Sequence, residues 1–213
     1  TRLSILDLSI NGSQPMFSSN KKIIITFNGE IYNHLELRKK INLYSNNLIE
    51  WNGTSDTETL VNSISIFGIK KTLNLIKGMF AFAAYDFDKD VVYLARDRSG
   101  EKPLYYGFIE NSFVFGSELK SIRSNSNFNN NIDKQSLSSF FMFSYVPSPY
   151  SIYQNIFKLE QGHYLKIDVS DIKTIKPTID KLQITKIKWI EEDNFTMQNA
   201  NSTDYTNKLH EIL

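Results

Sequence analysis

Lys22-Ile23-Ile24-Ile25-Thr26-Phe27-Asn28-Gly29-Glu30-Ile31-Tyr32-Asn33-His34 is the stretch on which the fold turns. Its first half is a β-branched run from Lys22 to Phe27, which predicts a strand. Asn28-Gly29 is the residue pair that most often ends such a run in a tight turn. Asn33 is suited to cap the helix that follows, where Leu35, Leu37 and Ile41 recur at helical spacing as far as Tyr44. A second, chemical reading is available for Asn28 and Gly29. A side-chain amide and a glycine N–H, adjacent on a rigid turn, can aim two donors at one oxygen. That arrangement is an oxyanion hole, in which a donor typically contributes roughly 2.7–4 kcal/mol.

Downstream, Ser55-Asp56-Thr57-Glu58 fits a capping box, with Ser55 as N-cap and Glu58 reaching back to it. The helix it opens is expected to reach about Phe67. Ile69 to Ile76 reads as another short helix, ended by Gly78. Met79 to Phe87 and Val91 to Arg96 read as strands around an Asp88-Lys89-Asp90 turn. Leu104 to Ile109 and Ser112 to Phe115 read likewise around Glu110-Asn111. Helices are predicted at Ser117 to Arg123 and Lys134 to Phe143. Two last strands, Ile156 to Leu159 and Tyr164 to Ile167, flank Gln161-Gly162. Beyond Asp168 the pattern becomes polar. A linker is expected over 168–201, then the start of a second domain in a helix from Ser202 to Leu213. Helices and antiparallel strands in this order indicate an α+β fold.

The composition excludes several classes. The chain has 213 residues, 41% of them hydrophobic and 22% charged, with a formal net charge of +1. Nothing in that charge favours nucleic acid or an anionic membrane as partner. No apolar run reaches the roughly 20 residues of a membrane span. There is no cysteine, so disulfides and thiolate metal sites are out, and a cytoplasmic location is expected. His34, His163 and His210 lack metal-ligand spacing and read as structural or surface residues.

Several further segments accompany Asn28 to His34: Arg2-Leu3-Ser4-Ile5, Gly53-Thr54-Ser55-Asp56-Thr57-Glu58, and Arg96-Asp97-Arg98-Ser99-Gly100-Glu101-Lys102-Pro103-Leu104-Tyr105-Tyr106. Gly78 to Ala83, Gly116-Ser117-Glu118-Leu119-Lys120, and Tyr145 to Pro149 with Ile156 to Tyr164 complete the set. In this order they resemble the glutaminase domain of asparagine synthetase, over about residues 1–167. The resemblance implies a four-layer αββα sandwich of two antiparallel sheets, the N-terminal-nucleophile hydrolase type, here N-terminally truncated. It also implies a class II glutamine amidotransferase. An N-terminal cysteine, with its own α-amino group as base, attacks the glutamine amide. A glutamyl thioester forms, ammonia leaves, and water releases glutamate. In a C-terminal synthetase domain, ATP with Mg²⁺ would convert aspartate to an adenylate that ammonia amidates. No cofactor is implied for the fragment itself.

Carried over residue by residue, Asn28 (amide) and Gly29 (N–H) match the oxyanion hole. Arg2 matches the holder of the glutamine α-carboxylate, which a guanidinium fork suits, and Asp56 matches the holder of the α-ammonium. Glu30 corresponds to a further substrate contact, and Leu3 and Ile5 to backbone contacts. Each has a plainer reading: Asp56 as favourable charge at a helix N-terminus, Arg2 as a solvated strand residue. Arg96, Asp97, Arg98 and Lys102 read as structural, fixing strand ends or a domain interface. Partners implied are glutamine, with aspartate and ATP for the whole enzyme; a homodimer is admitted but not required. The family's cysteine and its Ser-Gly-Gly-x-Asp-Ser phosphate loop are absent, expected upstream of Thr1 and beyond Leu213. Thr1 is no substitute nucleophile, because it abuts what the family pattern makes an internal strand. Without the cysteine the fragment is expected to be inactive. Two alternatives stand beside this reading. One is a homologous amidotransferase acting on a sugar or peptide carboxylate in surface-polymer synthesis. The other is a degenerate glutaminase-like scaffold.

Overall fold

In the computed structural model, residue 7 and residues 9–174 and 185–188 are described. A short 3₁₀ turn, Ile10–Gly12, precedes β1 (Met16–Phe17) and β2 (Ile23–Ile31). Three helices follow, α1 (His34–Tyr44), α2 (Asp56–Phe67) and α3 (Ile69–Leu75), and then β3 (Gly78–Asp86), β4 (Val91–Arg96), β5 (Tyr105–Ile109) and β6 (Ser112–Gly116). Helices α4 (Leu119–Arg123) and α5 (Lys134–Phe143) lead to β7 (Ile156–Lys158), β8 (His163–Asp168), α6 (Val169–Thr174) and β9 (Thr185–Lys188). The larger sheet runs β1-β2-β3-β4-β8-β9 and the smaller β6-β5-β7, with antiparallel pairing throughout.

The period-two alternation of strands decides how these pieces stack. On β3, Phe80, Phe82 and Ala84 face one way, with Val91, Tyr93 and Ala95 of β4 and Tyr164 of β8; they pack on Leu37, Ile41, Leu60, Val61, Ile64 and Leu73 of the three helices. The intervening Ala81, Ala83, Leu94, Leu165 and Ile167 face the other way, against Tyr106 of the smaller sheet, with Leu104 and Leu159. The far side of that sheet, through Ile109 and Ile156, covers Ile122 of α4. Three stacked apolar seams therefore separate four layers, the αββα order expected. Helix α5 is different: Ser136 is its one buried residue, while Phe140, Phe141, Met142 and Phe143 are exposed.

The structure corrects several local readings. Asn28-Gly29 is not a turn. Strand β2 runs straight through it in unbroken register, Asn28 opposite Ala81 and Gly29 opposite Phe80. Long-range pairing along nine residues outweighs a local turn preference. Gly29 is required there for a reason other than turning: its φ is +152°, and a Cβ would lie 2.1 Å from the Met79 carbonyl oxygen. Asn33 stands at the N-cap of α1 without capping it; its side chain bridges Leu75 O (2.9 Å) and Lys77 N–H (2.9 Å). Ser55 does cap α2, accepting from Glu58 N–H at 3.2 Å. Glu58, however, does not close the box on Ser55. Its carboxylate accepts from the N–H groups of Asn52 (2.7 Å) and Gly53 (3.0 Å) and meets Arg38 at 3.4 Å. Within 168–201, α6 follows β8 directly and β9 pairs with β8, so the larger sheet continues past residue 167. The expected helix from Ser202 lies outside the described residues.

Candidate active site

The seam between the sheets takes residues from β3, β4 and β8 and none from β2. On β2 the face turned toward the smaller sheet carries Thr26, Asn28 and Glu30, beside the short side chains of Ala81 and Ala83 across the pair. Small residues under an uncovered polar strand leave space, and a cleft of about 890 Å³ lies there, lined by Asn28, Gly29, Glu30 and Asp56 among others.

Along the edge of β2, the strand's own geometry sorts its donors. Phe80 gives both its N–H and its C=O to Asp97 on the β4 side (3.2 and 2.8 Å). A residue in an antiparallel ladder points both groups the same way, so the Gly29–Phe80 pair is not hydrogen-bonded and the Gly29 N–H turns to the opposite edge. Phe27 and Ile31, two residues either side, confirm the direction. Phe27 N–H donates to Gln14 Oε1 at 2.7 Å and Ile31 N–H to Asp56 Oδ2 at 2.9 Å. The Gly29 N–H lies between them, at an edge that β1 covers only from Met16 to Phe17, opposite Ile25 and Ile24. Asn28, exposed on the cleft face, donates its amide Nδ2 to Ser117 Oγ at 3.1 Å. The two donors expected at one oxygen are thus on adjacent residues at the same cleft, one on the strand's face and one at its edge.

Asp56 is the first residue of α2 and is 5% exposed. Its Oδ1 accepts from Thr57 N–H (2.8 Å) and its Oδ2 from Ile31 N–H. The carboxylate therefore bolts the helix to the strand, and it also borders the cleft. Glu30 is half-buried on the same strand face as Asn28. Arg2, Leu3 and Ile5 lie outside the described residues. Asp7 shows what the chain meets shortly after them: its Oδ2 accepts from Thr54 N–H at 2.9 Å, beside the α2 N-cap.

The charged loop after β4 is structural. Arg96, 6% exposed, donates to the carbonyls of Lys102 (2.9 Å), Leu159 (2.7 Å) and Gly100 (2.5 Å). Burial lowers its pKa, with Asp97 opposing. Asp97, 1% exposed, accepts from the N–H groups of Phe80, Glu101 and Lys102. Lys102 is thereby held by both its backbone groups, and it borders the cleft. Burial pushes His34 below its usual range, the Asp56 charge opposing, and its Nδ1 has no hydrogen-bond partner among the described residues. Among the described residues no group of His, Asp and Glu is placed to hold a metal ion. Sequence reasoning missed Ser117 as a site residue. The only signal for it was its place in the family-like segment Gly116 to Lys120, where a helix was expected from Ser117; the helix begins at Leu119.

A family model described as a glutamine amidotransferase domain matches residues 1–177. Two relatives in Bacillus subtilis carry the name asparagine synthetase [glutamine-hydrolyzing]. Number 1 is 34% identical over 195 residues, covering 90% of this chain and 30% of the relative. Number 2 is 37% identical over 174 residues, covering 79% and 22%. The chain thus spans under a third of the length of either. Among solved structures, the glutamine phosphoribosylpyrophosphate amidotransferase of B. subtilis superposes with a TM-score of 0.53 at 19% identity, covering 85% of this chain and 33% of that one. That likeness concerns the fold, two antiparallel sheets with helices outside them.

Proposed function

The chain belongs to the glutamine amidotransferase domain family, and on that premise we propose that it is the glutaminase part of an asparagine synthetase. Glutamine would be its substrate, and the ammonia released would amidate aspartate through an ATP-derived adenylate elsewhere in the whole protein. The observation that carries the proposal is the pair of donors on Asn28 and Gly29, set beside the Asp56 carboxylate at one cleft. When a thiolate attacks the glutamine carboxamide carbon, the carbonyl oxygen takes the electron pair. The Asn28 amide and the Gly29 N–H hold that charge until it collapses, the C–N bond breaks and protonated nitrogen leaves as ammonia. Asp56 takes the substrate's α-ammonium and Arg2 its α-carboxylate, one fixed charge for each end of the zwitterion. Glu30, two residues from Asn28 on the same face, is the further contact, and Leu3 and Ile5 contribute backbone groups.

The 213 residues contain no cysteine, so they are expected by themselves to release no glutamate from glutamine. ATP and Mg²⁺ would serve the amidation step elsewhere in the whole protein. A cytoplasmic location is part of the proposal; among the described residues no helix is long and apolar enough to cross a membrane. The names of the relatives support aspartate as acceptor over a sugar or peptide carboxylate.

The test compares Asn28→Ala with wild type in the polypeptide of the intact open reading frame. Loss of one oxyanion donor is expected to lower kcat for glutamine hydrolysis on the order of 10²–10³-fold. KM should change far less, and asparagine formation from free ammonia should persist. Equal loss of glutamine- and ammonia-dependent synthesis, with a lowered Tm, would return Asn28 to a purely structural role. Amidation of an acceptor other than aspartate would refute the asparagine assignment.

A further inference from the structure

We propose that Ser117 is a positioning residue for Asn28, selecting the rotamer that keeps one amide N–H turned into the cleft; this rests on the oxyanion reading above. The two residues are 89 positions apart, Asn28 in the larger sheet and Ser117 just past the end of β6 of the smaller, yet Asn28 Nδ2 and Ser117 Oγ are 3.1 Å apart. Asn28 stands on the one face of β2 that no apolar seam covers, and it is exposed. An exposed asparagine on a strand samples several χ1 wells and both faces of its broad χ2. A catalytic donor in that state would be correctly placed only part of the time.

Ser117 can remove that freedom because its own backbone is held. It directly follows Gly116, which pairs with Tyr105 at the end of β6. On its other side, Ser121 closes a turn onto Glu118 O, through its N–H at 3.2 Å and its Oγ at 2.6 Å. The hydroxyl is thus carried by a strand end and a closed turn, on the smaller sheet's side of the cleft. An asparagine amide has two hydrogens. Ser117 takes one, which fixes the amide plane and leaves the other for an oxygen bound in the cleft. The hydroxyl touches no reacting atom and acts through Asn28.

Two measurements test this. In the 213-residue chain, the Asn28 side-chain amide is followed by nitrogen-15 NMR and identified by its absence in Asn28→Ala. The proton bonded to Ser117 should exchange with solvent more slowly than the other. Ser117→Ala should make both exchange fast, and Ser117→Thr should keep the difference. In the intact open reading frame, Ser117→Ala should lower kcat for glutamine hydrolysis about three- to tenfold, the range expected for one hydrogen bond. KM and ammonia-dependent synthesis should be unchanged, and threonine should restore kcat. The Ser117→Ala effect should also vanish when Asn28 is already alanine. An Asn28 amide indifferent to Ser117→Ala overturns the proposal, as does an effect that persists in the Asn28→Ala background. If Asn28→Ala is itself without effect on kcat, the oxyanion reading fails, and the amide spectrum alone decides whether Ser117 holds Asn28.

Discussion

Replacing Gly29 with alanine tests the close strand approach on which the site depends. The added Cβ would stand 2.1 Å from the Met79 carbonyl oxygen, 2.7 Å from Phe80 Cα and 3.0 Å from Met79 C. All three are backbone atoms of the paired strand, so no side-chain rotation relieves the clash, and β2 must shift from β3. A non-glycine residue in a glycine-only conformation costs of order 1–3 kcal/mol, and Gly29 has φ +152°. Overpacking adds about 1–3 kcal/mol. The sum centres near 4 kcal/mol, which for a chain of this size lowers Tm by roughly 8–16 °C. Gly68→Ala is the control. Gly68 has φ +79° with nothing within 4 Å of a Cβ, so only the conformational cost applies, about 2 kcal/mol or ~4–8 °C. Thermal unfolding of the 213-residue chain, followed by circular dichroism, gives both values under one condition. If Gly29→Ala melts no lower than Gly68→Ala, the strands are not locked at this crossing and the steric argument is wrong.

Two further outcomes follow from buried groups. Tyr106, 2% exposed, has its pKa pushed up to about 12 from 10.0 by burial, with the Glu160 charge adding. Folding favours its neutral form, so this stability is complete below the unfolded pKa and is lost as pH rises from 10 to about 12, a span worth on the order of 2–3 kcal/mol. The stability difference between wild type and Tyr106→Phe should change by that amount between about pH 9 and 12 in denaturant titrations; a constant difference refutes it. Asp56→Asn turns an amide toward one of two N–H groups that the carboxylate accepts from. It should cost about 1–3 kcal/mol in unfolding experiments. In the intact open reading frame it should also raise KM for glutamine while ammonia-dependent synthesis continues. Destabilisation with an unchanged KM would leave Asp56 a structural residue only.

What was legible in the sequence divides along the range of the forces involved. Helix α5 matches its expected bounds, and the strands around Asp88 to Asp90 and around Glu110-Asn111 lie within a residue of theirs, because local pattern and turn chemistry determine them. Asn28-Gly29 was misread because the partner that keeps it in a strand, Met79 to Ala81, is fifty residues away. Glu58 was misread for the same kind of reason: a capping box is a local rule, and the N–H groups of Asn52 and Gly53 compete for the same oxygens. Strand order and the overhang of β2 beyond the apolar seam have no local signal. For the site, residue identity came from resemblance, and Asn28, Gly29, Glu30 and Asp56 do share one cleft. Ser117 escaped because its bond to Asn28 joins a loop to a strand 89 residues away.

The double engagement of Asp56 bears on how this domain would decay. In a lineage that stopped hydrolysing glutamine, Asn28 would drift early: exposed, and bonded by its side chain among the described residues to Ser117, it contributes little to folding. Position 56 would not drift with it, because a neutral apolar replacement leaves Ile31 and Thr57 with unanswered N–H groups at a buried junction. A descendant can therefore retain the aspartate long after catalysis has gone. If Asn28 is the proposed oxyanion donor, the residue at 28 separates working members from inert ones better than the residue at 56, which the fold itself retains.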